Sequence, residues 1–334
     1  MMQKLMTIII LSLAILVACQ PAEPIKLKFA HVVRTYFEED TPKGFGVWKF
    51  KQLVNERLAG KVLIEECPNS LCGEDDQIIK DLLEGKVQLA APSLAKFGTY
   101  TKRLQIFDLP FLFDSPQTVD DFQQGPAGQE LLQSMVDKGL LGLAYWHNGM
   151  KQLSANKPLR FPSEAKGLKF RIQNSKVLDT QFKALGAIPV PLSFKETYTA
   201  LKTGKVDGQE NTWSNCVAEK YSEVQKYFSE TNHGVLDYLL VTNVEFWNGL
   251  PSEVRTELEK IIHDVTLEVN KRAMESAQRD RQKIVYPGGA EVLTLTKEEL
   301  AQWRNIMQPV WDEFKDEIGE EMIKEVATAV NNQP

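Results

Sequence analysis

Histidine and cysteine are scarce in this chain: four of each in 334 residues, with His31, His147, His233 and His263 scattered outside any metal-ligand spacing. There is no G-x-S-x-G, no H-E-x-x-H, no G-x-x-x-x-G-K and no G-x-G-x-x-G after a strand, so the sequence assigns no catalytic residue, metal or cofactor. A basic stretch interleaved with aromatics is also missing. With 39 Lys and Arg against 45 Asp and Glu, the net charge of -6 argues against nucleic acid as a partner. Beyond the N-terminus no apolar run reaches the about 20 residues that a helix needs to cross a ~30 Å hydrocarbon core. An acidic chain that binds an anion must do so with positive charge concentrated in a cleft.

What is present begins with an export signal. Lys4 precedes an apolar run from Leu5 to Val17, and residues 1–18 read as a signal peptide. The run ends in Leu16-Val17-Ala18-Cys19, which resembles a bacterial lipobox and makes Cys19 the expected lipidation site, a tether to the membrane for a protein of the periplasm. Cys67 and Cys72, in Cys-Pro-Asn-Ser-Leu-Cys, either close a small disulfide loop or remain two thiols; Cys216 is left over as a buried or half-buried thiol.

A chain of this length suits two domains. Leu27 to Val32 alternates as a strand, a helix follows from about Lys43 to Leu58, and the beat repeats through Val62-Leu63-Ile64, Asp75 to Glu84, and Val87 to Ala90. Such alternation predicts α/β sheets with helical cover. Asp108 to Phe113 carries an internal proline and reads as an irregular crossing, and Leu140 to Trp146 as a strand. From His147 the pattern starts afresh. Ser193 and Glu196 form a capping-box pattern that predicts a helix from Phe194 to Thr203. Between Pro251 and Tyr286 there is neither proline nor glycine, and Val254, Leu258, Ile261, Ile262, Val265 and Val269 mark one face of a single helix about 50 Å long. A helix of that length is expected to span both lobes.

Arg171 sits in Leu168-Lys169-Phe170-Arg171-Ile172, opposite the apolar side chains of its strand. A planar guanidinium matches a carboxylate in bidentate fashion, so Arg171 is the first candidate for an anion contact. Gly186 to Leu201 and Lys202 to Asn211 closely resemble the signature of the solute-binding proteins of tripartite ATP-independent periplasmic (TRAP) transporters. The resemblance is nearest to the four-carbon dicarboxylate branch, through Ser93 to Phe97, Leu104 to Phe113, Tyr145 to Leu153 and Trp247-Asn248-Gly249-Leu250-Pro251.

The resemblance implies a two-lobed periplasmic-binding-protein-like α/β fold, with lobe I from 25–148 and 237–276 and lobe II from 149–236 and 277–334. It implies a binding protein, not an enzyme, that captures succinate, fumarate or malate and hands it to TRAP membrane permease subunits. A binding protein for another organic acid, or the ligand-sensing partner of a signalling receptor, is the alternative. Arg171 and Asn211 fall where the family places its ligand-binding Arg and Asn; Lys151, His31, Ser93, Asn148, Phe194 and Trp213 are further candidate contacts, with Lys151 expected to meet the second carboxylate.

Overall fold

The structure, a computed structural model, describes residues 23–34 and 41–331. The signal peptide and Cys19 lie outside the described residues. Eleven strands are described: β1 (Ile25–Ala30), β2 (Val62–Cys67), β3 (Leu89–Ala90), β4 (Leu140–Trp146), β5 (Gln152–Ala155), β6 (Lys169–Ile172), β7 (Ile188–Pro191), β8 (Gly208–Asn211), β9 (Tyr227–Glu230), β10 (Tyr238–Asn243) and β11 (Glu291–Thr294). They form two sheets, one of order β2-β1-β3-β10-β4 and one of order β11-β9-β5-β8-β6-β7. The doubly covered strands are buried on both faces and read as apolar runs, as β4 and β10 do.

Each sheet has its own apolar core. Leu27, Phe29, Phe50, Trp146 and Leu240 pack under the first sheet, whereas Leu153, Phe170, Ile172, Phe182 and Trp303 pack under the second. The helix Ser252–Val285 joins them: Val254 to Val269 lie in the first sheet's core, and Ile284 lies with Tyr221 and Phe228 behind the second. Its apolar stripe fades after Val269 because there the helix leaves one core for the other.

The chain passes between the sheets at β4 to β5 and at β9 to β10, and the two passages pair through an antiparallel bridge at Met150 and Val235. A charged clamp fixes them side by side. His147 Nδ1 lies 2.7 Å from Asp237 Oδ2, its Nε2 3.0 Å from Asp120 Oδ1, and Asn148 N donates to Asp237 Oδ1 at 2.9 Å. Burial alone would pull the imidazole down, but the two carboxylates outweigh it and hold it protonated up to about 9.

Several expectations shift in detail. The Ser193 and Glu196 pair is reciprocal, at 3.0 and 3.4 Å, yet it closes a turn ahead of the helix, which runs Thr197–Lys202. Residues 277–334 do not all belong with the second sheet. Trp303 and Met307 pack there, but Phe314, Ile318, Met322 and Val326 fill the core beside Leu104 and Phe107 on the first side. Amphipathicity predicts that such helices pack, not on which sheet. Cys67 and Cys72 are bonded, with Cα atoms 5.9 Å apart. Their loop donates Asn69 N to Val33 O and Ser70 N to His31 O, bracing the end of β1.

β8 lies in the middle of the second sheet and begins with Gly208, where a Cβ would sit 2.4 Å from the backbone oxygen of Ser154 and 2.6 Å from the Phe170 ring. A backbone neighbour cannot rotate away. Gly208→Ala should therefore lower stability by about 1–3 kcal/mol despite alanine's better backbone propensity, read as a shift of the urea midpoint at unchanged slope. An unaltered midpoint would mean that β5 moves freely.

Candidate functional site

Carboxyl ends of β1, β6 and β8 converge between the sheets, where open α/β sheets leave a crevice. The side chains there come from both sides. The first contributes Val32, Val33, Lys43, Asp75, Ser93 and Tyr238, and the second Arg171, Gln173, Phe194, Asn211 and Asn215. The space they enclose is tight, with about 20 Å³ open to the centre of a water-sized sphere. Larger concavities lie elsewhere: about 710 Å³ along Tyr145, Trp247 and the long helix, and about 310 Å³ beside Trp213, Met274 and Arg281. Size does not decide between them; buried charge does.

Arg171 is 2 % exposed and Lys43 1 % exposed. Arg171 Nε donates to Leu192 O at 3.0 Å, which fixes the guanidinium plane, and no described carboxylate lies within ion-pair distance of the head group. Lys43 Nζ donates to Ala91 O at 3.2 Å and stands 3.9 Å above the Tyr238 ring. It too has no ion-pair partner among the described residues. Burial lowers the Lys43 ammonium to about 8, with Asp75 and Glu74 partly opposing, and burial likewise pulls the Arg171 guanidinium below its usual range. Beside them Asn211 Oδ1 accepts from Asn215 Nδ2 at 2.8 Å, so the amide orientation is fixed and its buried Nδ2 donor is left without a partner. Two cations and an unmet donor thus face one small cavity from its two sides, an arrangement able to receive an anion.

Of the residues expected from sequence, Arg171, Asn211, Ser93 and Phe194 line this cavity. Ser93 Oγ donates to Gln173 Oε1 at 3.3 Å across the crevice, and Phe194 also packs against the first-side core. Lys151 does not belong there. Its ammonium is 2.9 Å from Glu210 Oε1, whose other oxygen is 2.9 Å from His233 Nε2, in a triad that is 1–2 % exposed. Strand spacing put Lys151 on an inward face but could not reveal a partner on β8.

The other three are also placed away from the cavity wall. His31 lies 3.5 Å from Glu66, Asn148 bonds Thr212 Oγ1 and Ser214 Oγ at 2.8 and 2.9 Å, and the Trp213 ring packs 6.1 Å from Phe228. Sequence reasoning missed Lys43, Asp75, Gln173, Asn215 and Tyr238. Lys43 did carry a signal: it is a cation in the first turn of the helix Pro42–Arg57, against the helix dipole.

Residues 32–317 match the model of the DctP family, described as bacterial extracellular solute-binding protein, family 7. The chain is 48% identical over 315 residues to the C4-dicarboxylate-binding periplasmic protein DctP of Vibrio cholerae, covering 94% of this chain and 93% of that one. A TRAP periplasmic solute-binding protein of Shewanella oneidensis with bound succinate superposes with a TM-score of 0.89 at 48% identity, over 92% of this chain and 99% of that one. A counterpart from Pseudomonas aeruginosa PAO1 with bound L-malate gives 0.83 at 50% identity, over 87% and 100%.

Burial would raise the Glu210 carboxyl, but the Lys151 ammonium and the His233 hydrogen bond outweigh it and hold the group at about 2, below its ordinary 4.5. Its stabilisation is therefore complete above that ordinary value and is lost as pH falls from there towards about 2. Urea midpoints of the wild type should decline across this window more steeply than those of Glu210→Gln. Lys151→Met strands a buried carboxylate and should cost about 3–5 kcal/mol of stability while leaving ligand selectivity intact. A changed selectivity at wild-type stability would return Lys151 to the site.

Proposed function

The chain belongs to family 7 of the bacterial extracellular solute-binding proteins, the TRAP-type binding proteins, and on that premise we propose that it captures a four-carbon dicarboxylate, succinate, fumarate or malate, between its lobes and delivers it to TRAP permease subunits in the membrane. The observation that carries this reading is the pair of buried cations, Arg171 on one side and Lys43 on the other, neither of them in an ion pair with a described carboxylate. A ligand with a carboxylate at each end supplies a partner to both. One carboxylate takes the Arg171 fork and the Asn211 Nδ2 donor, and the other takes the Lys43 ammonium.

Because the two anchors come from different lobes, the dianion bridges them and favours the closed arrangement that a permease would recognise. The hinge is the pair of passages held by His147 and Asp237, together with the long helix. No chemistry on the ligand is required: the site binds and releases, and turnover has no place in the cycle. Export to the periplasm follows from the signal peptide, and Cys19 carries the lipid tether. Wild-type protein should then fractionate with membranes and Cys19→Ala with the soluble fraction, at equal ligand affinity; a soluble wild type removes the tether.

Calorimetry with succinate and butyrate tests the anchors. Arg171→Lys keeps the charge but loses the fork, and should weaken succinate by at least about 100-fold, or about 2.7 kcal/mol, at an unchanged melting temperature. Lys43→Met should weaken succinate as much and butyrate within about threefold. Lys43 is a cation only below about 8. Succinate affinity should accordingly hold from about pH 6 to about 8 and fall by up to about tenfold per unit above it, whereas in Lys43→Met it stays level. Affinities within threefold of wild type for both variants would sink the assignment.

A further inference from the structure

We propose that Asp75 reads a hydrogen-bond donor on the second carbon of the ligand, so that the site prefers a four-carbon dicarboxylate bearing a 2-hydroxyl or 2-ammonium group over one that bears neither. The inference rests on the reading above and narrows its ligand. Asp75 shares the cavity wall with Lys43, Ser93, Arg171 and Asn211. It is 6 % exposed, and its Oδ1 is buried without a hydrogen-bond partner.

A carboxylate is an odd lining for an anion site. It is the first residue of the helix Asp75–Leu83, yet no side chain caps that helix, and although its charge is felt at both Lys43 and Arg171, neither is within ion-pair distance. An ionised carboxyl only accepts. Succinate or fumarate would bring carboxylates that also only accept, leaving Oδ1 unmet and repelled, whereas a donor on the carbon beside one carboxylate would satisfy it. Sites built to hydrogen-bond a ligand hydroxyl or amine discriminate strongly against the analogue lacking it, since the protein group is then left unpaired. Charge leads the same way: two cations and one anion on the wall leave a net +1, which a dicarboxylate with an ammonium balances and one with a hydroxyl tolerates.

Titration calorimetry of the full mature chain with L-malate, L-aspartate, succinate and fumarate tests this. The wild type should bind malate, aspartate or both at least tenfold more tightly than succinate and fumarate; which of the two prevails tells whether the donor read is hydroxyl or ammonium. In Asp75→Ala the favoured ligand should drop to within threefold of succinate, while succinate itself holds or improves because a repulsive neighbour is gone. A wild-type preference below tenfold, or an Asp75→Ala variant that weakens all four ligands equally, as a merely structural carboxylate would, overturns the proposal. Should that variant fail to fold, the wild-type preference decides alone. Absence of binding by all four acids would instead overturn the dicarboxylate reading itself, and the inference with it.

Discussion

Two cations held out of water, neither in an ion pair with a described carboxylate, set the terms for the rest of this molecule. Burying an unpaired charge costs several kcal/mol, and natural folds accept that where a ligand supplies the missing partner. The contrast with Lys151 makes the point within one chain. Lys151 and Lys43 are both 1 % exposed, but Lys151 has Glu210 at 2.9 Å, with His233 on the far oxygen, and its account is closed inside the protein. Lys43 has a backbone carbonyl and an aromatic face. Burial of a lysine is not what marks a binding site. Burial without a direct ion pair is.

That distinction also explains what could be read from the sequence. The fold was largely legible, because alternation of strand and helix is local and a stretch free of proline and glycine from Pro251 to Tyr286 admits one helix, observed as Ser252–Val285. The place of Arg171 at the cavity was legible from its strand face together with the family signature around it. Lys151 was misread because periodicity gives a side chain's face and not its partner, and Glu210 lies 59 residues further on. Asn148 and Trp213 were likewise on inward-facing segments, but they are spent on the junction around Thr212 and Ser214 and on the Phe228 ring. Lys43 and Asp75 sit in first turns of helices brought to the crevice from opposite sides of β1 and β2, an arrangement that only the sheet order creates.

The polar character of β8 belongs to the same logic. Gly-Gln-Glu-Asn is fully buried at the centre of a sheet, where apolar residues are the rule. Gln209 Nε2 reaches Ser154 Oγ at 2.9 Å, Glu210 closes the triad, and Asn211 is oriented by Asn215. Each of these side chains is held by a partner from a neighbouring segment, and Asn211, so oriented, presents a donor at a defined place. Beneath the site, hydrogen-bonded side chains hold the unsatisfied Asn211 Nδ2 donor at the end of the strand.

The hinge sets how much the ligand must contribute. Apolar packing stays mostly within each lobe, and polar contacts cross near the crevice, among them Ser93 to Gln173 at 3.3 Å, Asn215 to Tyr238 at 3.4 Å, and Ser175 to Asp108 at 2.7 Å. The two neutral contacts are worth about 0.5–1.5 kcal/mol net each and the one to the Asp108 carboxylate about 1.5–3 kcal/mol, a modest hold set against the repulsion of two desolvated cations. Moving a two-state equilibrium from about 1:99 to 99:1 takes about 5.5 kcal/mol of differential binding. One charge-assisted carboxylate contact, at about 1.5–3 kcal/mol, falls short of that. Two of them, one on each lobe, total about 3–6 kcal/mol and reach it at the upper end of that range. On the proposed reading a monocarboxylate would occupy half of the site without closing it, so the preference for a second carboxylate would be as much a property of the hinge as of the pocket.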